Sequence, residues 1–162
     1  MADKGKKGDG RDEVKFVCRN KRAFHEYEIM DRIECGVVLV GTEVKSLRDN
    51  HCLLDDAYAK IEESEVWLIG CEIPEYAMGN RLNHKPKRNR KLLLHRREIE
   101  KFAAKASQRG FTLVPLSLYF KNGRAKVEIA IARGKQVHDK RQAMKSADAK
   151  RDIARAMSRK RG

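Results

Sequence analysis

The residues best suited to acid–base or nucleophilic chemistry are the adjacent carboxylates Asp55–Asp56 and Glu62–Glu63, five histidines and four cysteines. A carboxylate couple needs both side chains on one side of an element, and neighbours on a strand point to opposite faces. Neither pair is therefore an evident dyad. The histidines are scattered, with no H-x-x-x-H that a helix would turn into a metal site. Cys18, Cys35, Cys52 and Cys71 each stand at least 17 positions from the next. That spacing offers no C-x-x-C ligand pair, so they read as small buried or half-buried residues. The stretch GTEVKS echoes the end of a phosphate-binding loop but lacks the glycine immediately before Lys45. The chain does not read as an enzyme, and no metal or cofactor is expected.

What remains is charge. The 162 residues carry 37 Lys and Arg against 23 Asp and Glu, a net +14. A polyanion is the natural partner of such a chain, and nucleic acid is the commonest polyanion. The excess is clustered. Residues Asn80 to Lys101 hold nine basic side chains and two Glu, and Lys135 to Gly162 hold ten against three Asp. The loop NRLNHKPKRNRKLLLHRRE mixes Arg and Lys, which neutralise phosphates, with Asn and His, which can bond sugars and base edges. The bland alternative is a solvated charged loop. A further basic group, Arg19, Lys21 and Arg22, precedes what reads as the first strand. Aromatic residues make up only 6%, which disfavours single-strand stacking and favours a folded RNA read through shape and backbone. DNA is not expected.

These groups need a scaffold. Tyr27, Ile29 and Ile33 alternate as on a strand, followed by a continuous apolar stretch over Val37 to Val40. TEVKSLR reads as a short helix, and AYAKIEESEVWLIGCEI as two strands around an acidic turn, ended by Pro74. HRREIEKFAAKASQRG places Ile99, Phe102, Ala103 and Ala106 on one helical face, with Gly110 as a C-cap. The run FTLVPLSLYFKNGRAKVEIAIAR reads as a hairpin turning at Asn122–Gly123. In it Val127, Ile129 and Ile131 form one buried face, and Pro115 marks an edge or a bulge. About six strands without β-α-β alternation predict a mainly β fold: an antiparallel sheet closed into a small OB-like barrel over residues 14–134, with helices packed on it. The first 13 residues, rich in Gly, Lys and Asp without an apolar core, read as a disordered leader and not a secretory signal. No run is apolar for long enough to span a bilayer, and a cytoplasmic protein without membrane contact is expected.

The segments NKRAFHEYEI, GTEVKSLR, RKLLLHRREI, PLSLYFKNGRAKVEIAIARGK and HDKR occur in order between Asn20 and Arg141. Together they resemble the tmRNA-binding protein family, also called SsrA-binding protein or small protein B. That resemblance implies an OB-like barrel that binds the tRNA-like domain of tmRNA and enters bacterial ribosomes stalled on messages without a stop codon. It also implies elongation factor Tu as a partner through the aminoacylated RNA. Carried over by position, Glu34, Leu93 and His95 match the tmRNA-contacting face, and Asn20, Lys21 and Arg22 lie in a matching block. Arg88, Arg90 and Lys91 of the basic loop are expected to add RNA contacts. Lys135, His138, Asp139, Lys140 and Arg141 match the motif that acts at the ribosomal decoding centre. A structural ribosomal RNA-binding protein or assembly factor is the competing reading, since a small basic barrel with a long tail would suit either.

The final segment, residues 135–162, has Ala149, Ile153, Ala156 and Met157 as a thin apolar stripe at helical spacing. With so little to pack against, it is expected to be disordered when free and to fold as a helix inside an RNA-walled message channel.

Overall fold

The computed structural model describes residues 12–79 and 81–159, and of residues 137–139 and 159 the backbone alone. In chain order the elements are β1 (Val14–Arg19), α1 (Lys21–Glu26), β2 (Tyr27–Val37), α2 (Gly41–Arg48), β3 (Tyr58–Glu62), β4 (Glu65–Ile69), β5 (Arg90–Leu93), α3 (Arg96–Ala106), β6 (Phe111–Lys121), β7 (Arg124–Gly134) and α4 (Val137–Arg159). Among the described residues the fold is a mainly antiparallel seven-stranded sheet with four helices. The strand order is β1-β6-β3-β4-β5-β2-β7, and β6 also pairs with β7.

The two hairpins lie where turn chemistry puts them. Glu63 and Ser64 (φ 49° and 62°) reverse the chain between β3 and β4, and Asn122 and Gly123 (φ 51° and 79°) do so between β6 and β7. Two consecutive positive φ values match the right-handed twist of the flanking strands. β6 and β7 then pair along nearly their whole length, with a register shift between Pro115 and Ser117. Pro115 has no N–H to give to a ladder, so its place is the bulge.

Most of the core is one cluster that includes Leu47 of α2, Leu68 of β4, Leu92 of β5, Phe102 of α3, Leu118 of β6 and Val127, Ile129 and Ile131 of β7. A second, smaller cluster joins Ala23 of α1 to Val114, Leu116, Ala130 and Ala132. β7 is therefore buried on both faces in its middle, not on one as its alternation predicts. The small alanines on the other face let α1 pack down there.

Several expectations change. The sheet has seven strands rather than about six. β1 (VKFVCR) and β5 (RKLL) are short segments beside basic runs, and pairing with β6 for the one and with β4 and β2 for the other makes them strands. Most of the apolar run Val37–Val40 is not strand: β2 ends at Val37, one further bond joins the Val38 N–H to the Lys91 carbonyl at 3.0 Å, and Val38 and Val40 are both exposed. Val40 instead leads into α2, where its N–H donates to the Glu43 carboxylate at 2.9 Å. β4 stops at Ile69, five residues before Pro74, because Gly70 turns the chain at φ +77°. α3 ends with Ser107 as its cap, and Gly110 serves the turn into β6.

The leader expected over residues 1–13 lies, as far as residue 11, outside the described residues. Its last two residues are tied down: Asn122 donates to the Asp12 carboxylate at 3.0 Å and accepts from the Glu13 N–H at 3.1 Å. The tail, expected to be disordered when free, is helical over Val137–Arg159. Alanine and long-chain residues favour that state, and Arg151–Asp148 and Arg155–Asp152 add i,i+3 ion pairs at 3.6 and 4.0 Å.

Candidate nucleic-acid interface

A groove of about 740 Å³ runs between the end of β2, the end of β5, the start of α3 and the β6–β7 turn. Its apolar lining includes Val37, Leu39, Leu94 and Phe120, and its polar lining includes Glu34, His95, Arg124 and Lys126. β2 and β5 meet here through the register Gly36↔Leu93. A side chain at position 36 would sit 3.2 Å from the Leu93 Cβ, so glycine is what lets Leu93 close over the strand. Leu93 remains 52% exposed, a leucine spent on the surface. His95 is exposed at the N-cap of α3, where its N–H donates to the Glu98 carboxylate at 2.9 Å. The structure thus gathers Glu34, Leu93 and His95, 61 residues apart in sequence, into one groove.

The Glu34 carboxylate is held from two sides. The Tyr119 hydroxyl donates to one oxygen, and the Lys121 ammonium lies 3.6 Å from the other. Burial, then the hydrogen bond to Glu34, pushes the Tyr119 hydroxyl up, so it stays a donor at neutral pH. An oriented carboxylate can still accept from a ribose hydroxyl or a base N–H, which a freely rotating one does at greater entropic cost.

The basic loop divides into accessible and structural cations. Arg90 is fully buried, a correction to its expected phosphate contact. Its guanidinium pairs with Glu43 at 2.8 Å and donates to the carbonyls of Cys71, Arg88 and Pro86 at 2.7, 2.9 and 3.0 Å. A side chain with no solvent-accessible surface cannot neutralise phosphate. Arg88 is one-third exposed and also grips Glu43, at 2.8 Å. Burial pushes the Glu43 carboxyl up, but hydrogen bonds from Arg88 and the Val40 N–H, with the charge of Arg90, outweigh it and hold the group below its ordinary value. Lys91 is half-buried and paired with Glu65. Exposed cations of the segment are Arg81, Lys85 and Lys87, which lies 3.8 Å from Glu72, and Arg96 and Arg97 where the segment becomes α3.

The block before β2 is also partly structural. Asn20 is buried, accepts from the Ala23 N–H at 3.0 Å as the cap of α1, and donates to the carbonyls of Leu54 and Pro115 at 3.2 and 3.0 Å. Its amide has nothing left to offer an RNA, which corrects its placement among the contacts. Lys21 is exposed, and Arg22 is exposed but paired with Glu26 and Asp56 at 2.8 and 3.1 Å. All three lie outside the groove.

At the far end, Lys135 fastens the tail to α1: its N–H donates to the Glu26 carbonyl at 2.9 Å and its ammonium to the Phe24 carbonyl at 3.1 Å. Lys140 is half-buried and Arg141 exposed. The side chains of His138 and Asp139 lie outside the described residues.

Sequence reasoning missed Tyr119, Arg124 and Lys126. Each stands in a hairpin that reads as scaffold, and only the strand pairing brings them beside Glu34. All four cysteines carry free thiols, three of them buried, and burial first of all pushes Cys35 up to about 12. Among the described residues no cluster of His, Cys, Asp and Glu is placed to hold a metal ion, and no helix is long and apolar enough to cross a membrane.

Comparison with known proteins bears on the whole chain. SsrA-binding protein of Thermobifida fusca is 55% identical over 161 residues, covering 99% of this chain and all of that relative. SsrA-binding protein of Corynebacterium jeikeium is 58% identical over 144 residues, 89% of this chain and 78% of that one. A solved structure described as “tmRNA-SmpB: a journey to the center of the bacterial ribosome” superposes with a TM-score of 0.64 at 44% identity, covering 74% of this chain and 85% of that one. The model of the SmpB protein family matches residues 17–159, so on sequence and on fold alike this chain belongs to the SmpB family.

Proposed function

We propose that this chain is the tmRNA-binding adapter of trans-translation. The observation that carries the reading is the groove in which Glu34, Leu93 and His95 converge beside Arg124 and Lys126. It combines an oriented acceptor, an exposed apolar contact and cations, which is what recognition of a folded RNA through backbone, sugar and a few base edges requires. The relatives are named for binding the SsrA RNA, and the structural neighbour is described with tmRNA in the bacterial ribosome. The body, residues 14–134, binds the tRNA-like domain of tmRNA. The tail from Lys135 enters the decoding centre and the empty message channel of a stalled ribosome, with His138, Asp139, Lys140 and Arg141 leading. Elongation factor Tu accompanies the complex through the aminoacylated RNA. The protein works in the cytoplasm by positioning RNA, without catalysis of its own.

We further read the sheet as an OB-like barrel closed on itself. Support comes from β6, which pairs with β7 along one edge and with β3 and β1 along the other, while β7 continues to β2.

Sequencing of RNA crosslinked to the protein in cells tests the function. Enrichment of tmRNA, rising when ribosomes stall, is expected. A profile dominated by ribosomal RNA with no tmRNA would make the protein a structural ribosome component instead.

A further inference from the structure

Four neighbouring strands carry one row of side chains in register. Arg19 of β1 faces Ser117 of β6, Ser117 faces Glu128 of β7, and Glu128 faces Glu34 of β2. Partners in register share a face of the sheet at about 4.8 Å per strand, which sets Arg19 roughly 14 Å from Glu34 along the row. A second row runs beside the first, with Phe16 facing Tyr119 and Tyr119 facing Lys126.

Tyr119 links the two rows. Its hydroxyl holds Glu34, and its ring packs on Phe16 with centroids 5.3 Å apart. Phe16 in turn carries the Arg19 guanidinium 4.0 Å from its ring centroid. Ser117 and Tyr119 are buried beneath this surface, whereas Phe16 is 45% exposed and Arg19 is exposed. The carboxylates of the face are engaged elsewhere: Glu128 with Arg32 at 4.0 Å, Glu34 with Tyr119 and Lys121, and Asp12 with Lys121 at 3.4 Å. Among the described residues none of them pairs with Arg19.

We propose that the RNA-binding face continues from the groove across β7 and β6 onto β1, where Arg19, laid over Phe16, contacts a backbone phosphate of the same RNA. The inference rests on the reading of the chain as a tmRNA-binding protein. Stacking on the ring leaves the N–H edge of the guanidinium open, and those donors match phosphate oxygens two at a time. An arginine already held by an aromatic face loses less side-chain freedom on binding than a free one. The spacing also fits, because a surface some 14 Å long reaches beyond the footprint of a single nucleotide.

The test is a filter-binding titration of the full chain with the transcribed tRNA-like domain of tmRNA at several salt concentrations. Arg19→Gln is expected to weaken binding roughly tenfold at low salt. The log–log salt slope should fall in magnitude by roughly 0.7 to 0.9, the loss of one phosphate contact. Phe16→Leu keeps an apolar strand residue but removes the stack, so it should weaken binding by a smaller factor with the slope unchanged. Hydroxyl-radical footprinting should show one protected backbone segment lost with Arg19→Gln and the remainder intact. Unchanged affinity and slope in an Arg19→Gln protein that melts like its parent would overturn the proposal, as would a Phe16→Leu protein that binds as tightly as the parent. A parent chain that does not bind the RNA at all discards the underlying reading too, whereas a binding parent with an indifferent Arg19→Gln discards only this extension.

Discussion

Arg90 and Glu43 both lie wholly out of solvent, their charged groups 2.8 Å apart. The pair ties α2 to the first residue of β5, and Glu43 extends the tie to Arg88 and to the Val40 N–H. β5 carries Leu93, so this buried network stands behind the groove. Removing one member leaves an uncompensated charge in the interior. Glu43→Ala should therefore destabilise the protein by about 3–5 kcal/mol, measured by urea unfolding. The double replacement Glu43→Leu with Arg90→Met should cost less than Glu43→Ala alone. A single mutant as stable as the parent would show that the network carries no such role.

The same carboxylate sets an acid limb. Its native pKa lies below the ordinary value of 4.5, so the unfolded chain takes up protons first as pH falls. The stability it contributes is complete above about 4.5 and is lost as pH drops through the lower native value. Urea midpoints followed from about pH 6 to about pH 3 should decline, and decline less steeply in Glu43→Gln. Equal slopes would assign the acid limb to other carboxylates.

Glu34→Ala makes the chain more positive and should nevertheless lower its affinity for tmRNA, because an acceptor for sugar or base donors is lost. Tyr119→Phe should share part of that defect, and the two changes together should cost no more than Glu34→Ala alone. Tighter binding by Glu34→Ala would mean that the carboxylate only repels phosphate.

Truncation after Arg133 removes ten basic residues but leaves the groove and the hairpin whole. The shortened protein should still bind tmRNA, with a modest loss from reduced charge, and should fail to support peptide transfer to tmRNA on ribosomes carrying a stop-less message. Replacing Asp139, Lys140 and Arg141 together by Ala should reproduce part of the transfer defect at nearly normal tmRNA affinity. Full transfer by the truncated chain at saturating RNA would make the tail dispensable.

Local chemistry was legible in the chain itself. Asn122–Gly123 announces a reversal because few residues tolerate positive φ, and the spacing of Ile99, Phe102 and Ala106 announces the buried face of α3. The clustering of positive charge pointed to RNA, and five ordered segments pointed to a family. Other features depend on partners distant in sequence. β5 reads as part of a basic loop, and it is a strand because β4 and β2 supply hydrogen bonds on either side. Arg88 and Arg90 look alike two residues apart and both reach Glu43, yet Arg90 opens β5 and is wholly buried among neighbouring carbonyls, while Arg88, in the loop before the strand, stays one-third exposed. Asn20 reads as a polar contact until the carbonyls of Leu54 and Pro115 close around it. Composition and spacing pointed to a mainly β chain suited to a folded RNA, since charge and periodicity act locally, and the five segments added the family. Which cations and carboxylates face the RNA was decided only by tertiary structure, because burial belongs to the packed fold and not to the residue.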